Sequence, residues 1–418
     1  MWATLNSADW GLGFTGLLLY LLAVVTFRFP IAPYAIGIMA FGVLTHRHKV
    51  ISTPFATGLF CILIWSVFGV ALSEWKQSSF DAWIELGKVV IICFLMPQVL
   101  RNRQTVLTAL LTHVVLFALY PVRGSIFNRL AGETDQGRWK WNYSYNNPND
   151  FASLTVLAIG SVVALLFCFW HRPFVRTGLI GLLFTFVFVV VMTQSRGVGI
   201  GLVVGMSVFA LYASAGVRKT LLVSGAILAL AAPILVPQDV LNRYFATAVT
   251  DDTESATKND LRIDMARGST EERTELLKIG LRIARDHPLF GVGLGAYPFA
   301  NKQYAPEKGA RDTHNTYVNL AAEAGIPALL LFLGLLFLTF RPCHLAILAL
   351  RKSQPRHSMA IAGMLSALVA FLVAGLFGSY AKLLFLYVFV AFMYCLSRVL
   401  VQPSDVAPIR RAKRGRAL

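Results

Sequence analysis

Apolar runs recur along this chain from one end to the other, and they constrain its fold more than any other feature. A run of about 20 apolar residues, or a somewhat shorter one, suits a helix crossing a bilayer. Candidate spans fall at 11–25, 30–44, 53–72, 83–99, 106–120, 151–170, 177–192, 198–212, 221–236, 327–340, 359–377 and 383–399, about twelve in all. With 56% hydrophobic and 14% charged residues and a mean hydropathy of +0.63, the chain is too apolar for ordinary soluble usage. It reads as an all-α polytopic membrane protein. One integral membrane unit covers 1–418, with spans in 11–236 and 327–399, a helical loop at 237–326 between the ninth and tenth spans, and a basic tail at 400–418.

Lys and Arg gather in alternate loops, as the positive-inside rule expects of the cytoplasmic side. The loops carrying Arg47 and Lys49, Arg101 and Arg103, Arg172 and Arg176, Arg218 and Lys219, and then Arg341, Arg351, Lys352 and Arg356 contain no Asp or Glu. The tail "RRAKRGRAL" falls on the same side by parity, so both termini are expected in the cytoplasm. The same pattern explains much of the formal charge of +17, and nucleic acid is rejected as a partner. Almost all the acidic residues and two long hydrophilic loops, 122–150 and 237–326, fall on the opposite side, where function is sought. All five cysteines lie in spans or at a cytoplasmic edge, so no disulfide framework is implied. The first span has no convincing cleavage site and reads as an anchor. The two halves do not echo each other as a transporter's repeats usually do.

Inside the second loop, "STEERTELLKIGLRIARDHP" predicts a helix capped by Ser269 with Glu272 and stopped by Pro288. Glu272, Glu275, Lys278, Arg282 and Arg285 share one face of it; Leu276, Leu277, Gly280, Ile283 and Ala284 share the other. Arg273 falls within the apolar face, in a first turn that favours an anion. It reads either as a phosphate contact or as a cation snorkelling to the edge or pairing with Glu272 or Asp264.

Further on, "DTHNTYVNLAAEAGIPALLLFLGLLF" starts at Asp312 and leads into the tenth span. Asp312 or Thr313 can cap a short helix with His314 and Asn315 in its first turn and Tyr317 on the same face. Gly325 and Pro327 mark a break after it. His314 is then either a hydrogen-bonded interfacial histidine or a general base for a hydroxyl nucleophile at neutral pH. "VVVMTQSRGVGIGL" puts Ser195 and Arg196 at the outer end of another span, where snorkelling is again the plain reading. Yet Arg196, Arg273 and His314 all reach one boundary.

"GRWKWNYSYNNPNDFA" adds Arg138 and Lys140. Its Trp139, Trp141, Tyr143 and Tyr145 suit a membrane-interface belt and also sugar stacking, while Asn149 or Asp150 can cap the sixth span. "GVGLGAY" at 291–297 lacks the end of a phosphate-binding loop and reads as a flexible connection. No D-x-D or H-x-x-x-H cluster offers metal ligands, and Asp251 with Asp252 is weak evidence for one. Neither a metal nor a cofactor is therefore expected. A departing phosphate would rely on fixed guanidinium groups, and outside the inner membrane, where nucleotides are not supplied, a lipid-linked phosphate would activate the substrate.

On "NPNDFA" at 147–152, "SRG" at 195–197, Arg273 with "DHPLFGVGLGAY" at 286–297, and above all "HNTYVNLAAEAGIPALLLF" at 314–332, the chain resembles the O-antigen ligase and Wzy-type polymerase superfamily of bacterial envelope glycosyltransferases. It departs from a common family pattern in carrying Asp312, not a second histidine, two places before His314. The resemblance implies a multi-pass protein of the bacterial inner membrane that moves a glycan from undecaprenyl pyrophosphate to an acceptor at the periplasmic face. Compact length and one large late loop resemble the ligase, whose acceptor is lipid A–core in lipopolysaccharide biosynthesis. The alternative is a polymerase, whose acceptor is another lipid-linked unit.

In that mechanism His314 is the general base, and Arg196 and Arg273 hold the pyrophosphate. Arg138, Asn149, Asn315 and Tyr317 are weaker candidates for positioning. Direct attack predicts inversion and needs no metal. Membrane lipids are further partners, and grooves for donor and acceptor are expected between spans. A transporter of lipid-linked sugars is the competing class, with Glu85, Lys88 and Lys382 as its path charges; Glu85 and Lys88 also suit a simple i,i+3 ion pair.

Overall fold

A computed structural model describes residues 11–45, 50–245, 258–381 and 384–401. Arg47, Lys49, Asp251, Asp252, Lys382 and most of the basic tail lie outside them. Among the described residues the chain is all-helical, its only extended pairing being a single bridge between Asp135 and Arg138. In chain order the helices are α1 (Leu12–Thr26), α2 (Ala32–Thr45), α3 (Pro54–Leu72), α4 (Lys76–Val99), α5 (Arg103–Phe117), α6 (Arg123–Leu130), α7 (Pro148–Cys168) and α8 (Pro173–Met192). They continue with α9 (Arg196–Tyr212), α10 (Ala215–Leu235), α11 (Gln238–Phe245), α12 (Lys258–Asp286), α13 (Tyr297–Tyr304), α14 (Thr316–Ser353), α15 (Pro355–Ala374) and α16 (Leu384–Leu400). Each apolar run of the sequence coincides with one of these helices. Among the described residues seven helical stretches are long and apolar enough to cross a membrane: α3, α4, the 103–130 stretch, α7, α8, α14 and α15. α1, α2, α9 and α16 are shorter apolar helices.

Local chemistry sets the helix ends. Thr53 and Asn102 cap α3 and α5 by accepting from the backbone N–H groups of Ala56 and Thr105. The fifth span does not stop at Tyr120. A wide turn at 118–122, holding Pro121, passes directly into α6, so helix continues to Leu130 and takes the start of the first hydrophilic loop.

α7 and α15 form the centre: 83% and 78% of their most apolar stretches are buried, against 22% for α8 at the periphery. Small residues allow the close approach expected of helices packing in lipid. A Cβ on Gly160 of α7 would lie 2.4 Å from the Cβ of Ala367, and one on Gly201 of α9 would lie 2.3 Å from the carbonyl oxygen of Ala370. α7, α9 and α15 are thus locked together, and their ends on one side of the bundle carry the 147–150, 193–196 and 375–381 segments. The basic connections collect at the opposite end, where Arg356 meets His171 and the fields of Arg101 and Arg398 overlap.

Two expectations for the long loop are corrected. α12 begins at Lys258, so Ser269 lies inside the helix and does not cap it. "GVGLGAY" is a fixed strap. The N–H groups of Val292 and Gly293 donate to the carbonyls of Ala322 and Glu323, both at 2.9 Å, tying the strap to α14. Gly291, Gly293 and Gly295 all take positive φ, and a side chain at Gly293 would strike the hydroxyls of Ser79 and Ser73. The α14 kink falls at Gly325 (φ 85°), as Gly325 and Pro327 predict, with Leu289 packed so close that a Cβ there would lie 1.9 Å from its carbonyl oxygen.

Candidate functional site

The apolar face of α12 does what its pattern predicts. Leu276, Gly280, Ile283 and Ala284 are buried, while Glu275, Lys278, Arg282 and Arg285 are exposed. Gly280 lets the helix approach the 313–318 segment: a Cβ on it would come within 2.8 Å of Thr313 and Val318. Glu275 pairs with Lys308, and Glu272 lies 3.9 Å from Arg311. These contacts dock α12 beside the segment that leads into α14, with Gly280 about two turns beyond Arg273.

His314 is not on a helix, contrary to its predicted place in a first turn. α14 starts at Thr316, and its cap is Asn315, not Asp312 or Thr313. The Asn315 side chain accepts from the N–H groups of Tyr317 and Val318, both at 3.0 Å. His314 precedes that cap in the left-handed region (φ 51°), a conformation rarely held by a non-glycine residue unless its surroundings impose it. They do impose it: Thr313 Oγ1 donates to the carbonyl of Asn315 at 2.9 Å, and Asn315 Nδ2 donates to the carbonyl of Leu376 at 3.1 Å. Tyr317 therefore does not share a helical face with His314. Its hydroxyl donates to the carbonyl of Leu372 at 2.9 Å, fastening α14 to α15.

Partial burial pushes the His314 imidazole below its ordinary pKa, and the Arg273 guanidinium pushes the same way against the opposing pull of Asp312 and Glu272. The ring is therefore neutral and able to accept a proton at neutral pH. Asp312 is fixed by Asn319, whose Nδ2 donates to Oδ1 at 3.0 Å. Arg273, half-buried, is itself lowered, first by burial and then by the positive field of Arg196, with Tyr380 and Glu272 opposing. A guanidinium stays protonated through such a shift. Arg273 thus stands in the field of Arg196 and casts its own on His314, so charge on one of the three segments that the sequence singled out is felt on the next.

Arg138 and Asn149 form a second edge. Arg138, 7% exposed, donates from Nε to the Thr193 carbonyl at 2.9 Å and from Nη2 to Asn149 Oδ1 at 2.7 Å, with Asp135 at 3.8 Å. This joins "NPNDFA" to the turn before Arg196. The cap of α7 is Asn147, which accepts from the Asn149 N–H at 2.8 Å, so neither Asn149 nor Asp150 has the capping role. Trp141 and Tyr145 are buried in the bundle and cannot stack on a sugar; Tyr143 remains 58% exposed, stacked on Phe27.

Sequence reasoning missed Tyr380. It sits in the connection between α15 and α16, 1% exposed. Its hydroxyl donates toward the Asn149 carbonyl at 3.4 Å, and its backbone N–H donates to Thr316 Oγ1 at 2.8 Å. The one available signal was an aromatic, polar "GSY" between two spans. Among the described residues no group of three or more His, Cys, Asp or Glu could hold a metal ion.

A groove of about 860 Å³ runs down the bundle between α3 and the second half of α14, lined by Thr57, Gly58, Cys61, Trp65, Pro327 and Leu335 among others.

These features define a helical membrane protein with a cation-rich polar centre at one end of its bundle. Residues 180–333 match the family model described as O-antigen ligase, and this supports a member of the O-antigen ligase-type superfamily, its ligases and polymerases together. The matched stretch includes Arg196, Arg273, His314, Asn315 and Tyr317; Arg138, Asn149 and Tyr380 lie outside it. No curated protein matches the chain.

Proposed function

We propose that this protein is an O-antigen ligase of the bacterial inner membrane, transferring a glycan from undecaprenyl pyrophosphate to lipid A–core on the periplasmic side. What supports the reading is that Arg273 lies in the field of Arg196 and lends its own to His314, a left-handed residue held by its neighbours' bonds to residues 375–379. His314 takes the proton of the acceptor hydroxyl as its oxygen attacks the anomeric carbon. Arg196 and Arg273 bind the pyrophosphate and stabilise the charge that grows as it leaves, so the configuration inverts. The long apolar groove beside α14 suits the polyprenyl chain of the donor. On this reading about twelve spans, with both termini in the cytoplasm, give the topology.

The test is a reconstituted transfer assay with a lipid-linked glycan, with and without lipid A–core, in chelator. Glycan on lipid A–core, formed only when that acceptor is supplied and surviving chelator, is the expected result. Longer lipid-linked glycans formed without lipid A–core make the protein a polymerase. No new covalent bond in either case overturns the enzymatic reading and leaves a transporter. Against that last class, Glu85 and Lys88 form an exposed ion pair at 2.5 Å on α4, as their i,i+3 spacing predicts.

A further inference from the structure

Thr313 and Asn315, on either side of His314, and Thr316 beyond them all bond to one short connection, residues 375–381 between α15 and α16. Thr313 Oγ1 lies 3.3 Å from Ser379 Oγ, and Asn315 Nδ2 reaches the Leu376 carbonyl at 3.1 Å. Thr316 donates from its backbone N–H to the Gly375 carbonyl at 2.7 Å and from Oγ1 to the Gly378 carbonyl at 2.6 Å. That strained histidine is therefore held by a connection that contributes no charge of its own to the site.

Tyr380 is where the connection meets the rest. Its ring packs on Phe371 with centroids 5.4 Å apart, and its phenol folds back over the connection so closely that a Cβ on Gly378 would lie 2.4 Å from the hydroxyl. From there the hydroxyl reaches the carbonyl of Asn149, the residue whose side chain holds Arg138. The phenol also lies in the fields of Arg273, Arg138 and Asp150. One buried side chain thus touches or faces every segment that carries a candidate group except that of Arg196, and Arg273 links it to that one.

We infer that Tyr380 is a positioning residue of the transfer site, setting the separation between the guanidinium groups that hold pyrophosphate and the imidazole that takes the acceptor's proton. The inference rests on the ligase reading above. Its backbone fixes Thr316 and with it the entry to α14; its phenol fixes the same point against α7. A buried side chain so placed acts on geometry and need not touch substrate. Misplacing a reacting group by about 1 Å costs on the order of a hundredfold in rate, even when the cause lies away from the chemistry.

The test compares the full-length wild type with Tyr380→Phe, which keeps the ring and removes the hydroxyl, in the reconstituted transfer assay, with thermal unfolding measured in parallel. The expected result is a roughly 10- to 100-fold fall in kcat per folded molecule, with the donor KM changed by less than about threefold. An unchanged kcat overturns the inference, whether or not the melting temperature falls, because a merely structural phenol changes only the folded fraction. A raised donor KM at unchanged kcat also overturns it, by making Tyr380 a substrate contact. Absence of transfer by the wild type sinks the ligase reading itself, and the inference falls with it; transfer by the wild type with an unimpaired Tyr380→Phe sinks the inference alone.

Discussion

Arg138 and Arg273 flank the same polar centre and live in opposite surroundings. Arg138 is almost fully buried and spends its donors on a backbone carbonyl and an amide oxygen, with a carboxylate nearby. Arg273 is half-buried, with Arg196 and His314 in its field and Glu272 as an acidic neighbour. A guanidinium among fixed acceptors holds a structure together. A guanidinium set beside other cations gains from an anion brought close to it, because like charges raise its free energy and a negative ligand offsets that cost. On the proposed reading, the difference separates a structural edge, Arg138 with Asn149, from the edge assigned to the chemistry, Arg273 with Arg196 and His314.

The largest expected effect breaks the edge assigned to the chemistry. Replacing His314 with Ala lowers the transfer rate by about 10²- to 10⁴-fold, the range of general base catalysis, and leaves donor binding intact. Side-by-side turnover and lipid-donor binding check this; full activity would remove the base. Next in size, Arg273→Lys keeps the charge and loses the bidentate fork, and kcat/KM falls by roughly tenfold or more. Arg138→Lys should show the reverse signature. It strips donors from the Thr193 carbonyl or Asn149 Oδ1 and costs on the order of 1–3 kcal/mol of stability, read as a lower melting temperature, with a smaller change in kcat.

pH sharpens the comparison further. The folded His314 is held below the ordinary value near 6.5, so activity stays level as pH falls to about 6.5 and declines only below it. Over the same window the unfolded chain binds a proton that the folded one refuses, so stability at this site falls as pH drops below about 6.5 toward the folded value. An acidic limb centred above 6.5 would contradict the assigned environment. The smallest effect is expected at Lys88→Ala, which removes an exposed ion pair and should leave transfer unchanged; abolished transport in that variant would favour the transporter.

Much of this was legible from residue patterns. Apolar runs located every span-sized helix, the Gly325 and Pro327 pair located the kink, and the wheel of α12 gave its buried face, because burial in lipid and packing against α14 both follow hydrophobic periodicity. What escaped was decided by contacts between distant segments. His314 has a helical neighbourhood in sequence, yet the bonds from Thr313, Asn315 and Thr316 to 375–379 move the cap forward and turn His314 left-handed. "GVGLGAY" has the composition of a mobile loop, but its glycines serve close backbone approach to α14 and the α3–α4 turn. Tyr380 gave no periodic signal at all; its importance lies in what it touches.

The central claim is that Arg196 and Arg273 serve one anion. A double-mutant cycle tests it most directly, measuring the affinity of the full-length protein for undecaprenyl pyrophosphate in the wild type, Arg196→Gln, Arg273→Gln and the double variant. Shared clamping predicts strong non-additivity, the second substitution costing much less once the first is made. Losses that simply add would place the two guanidinium groups at separate sites and contradict it.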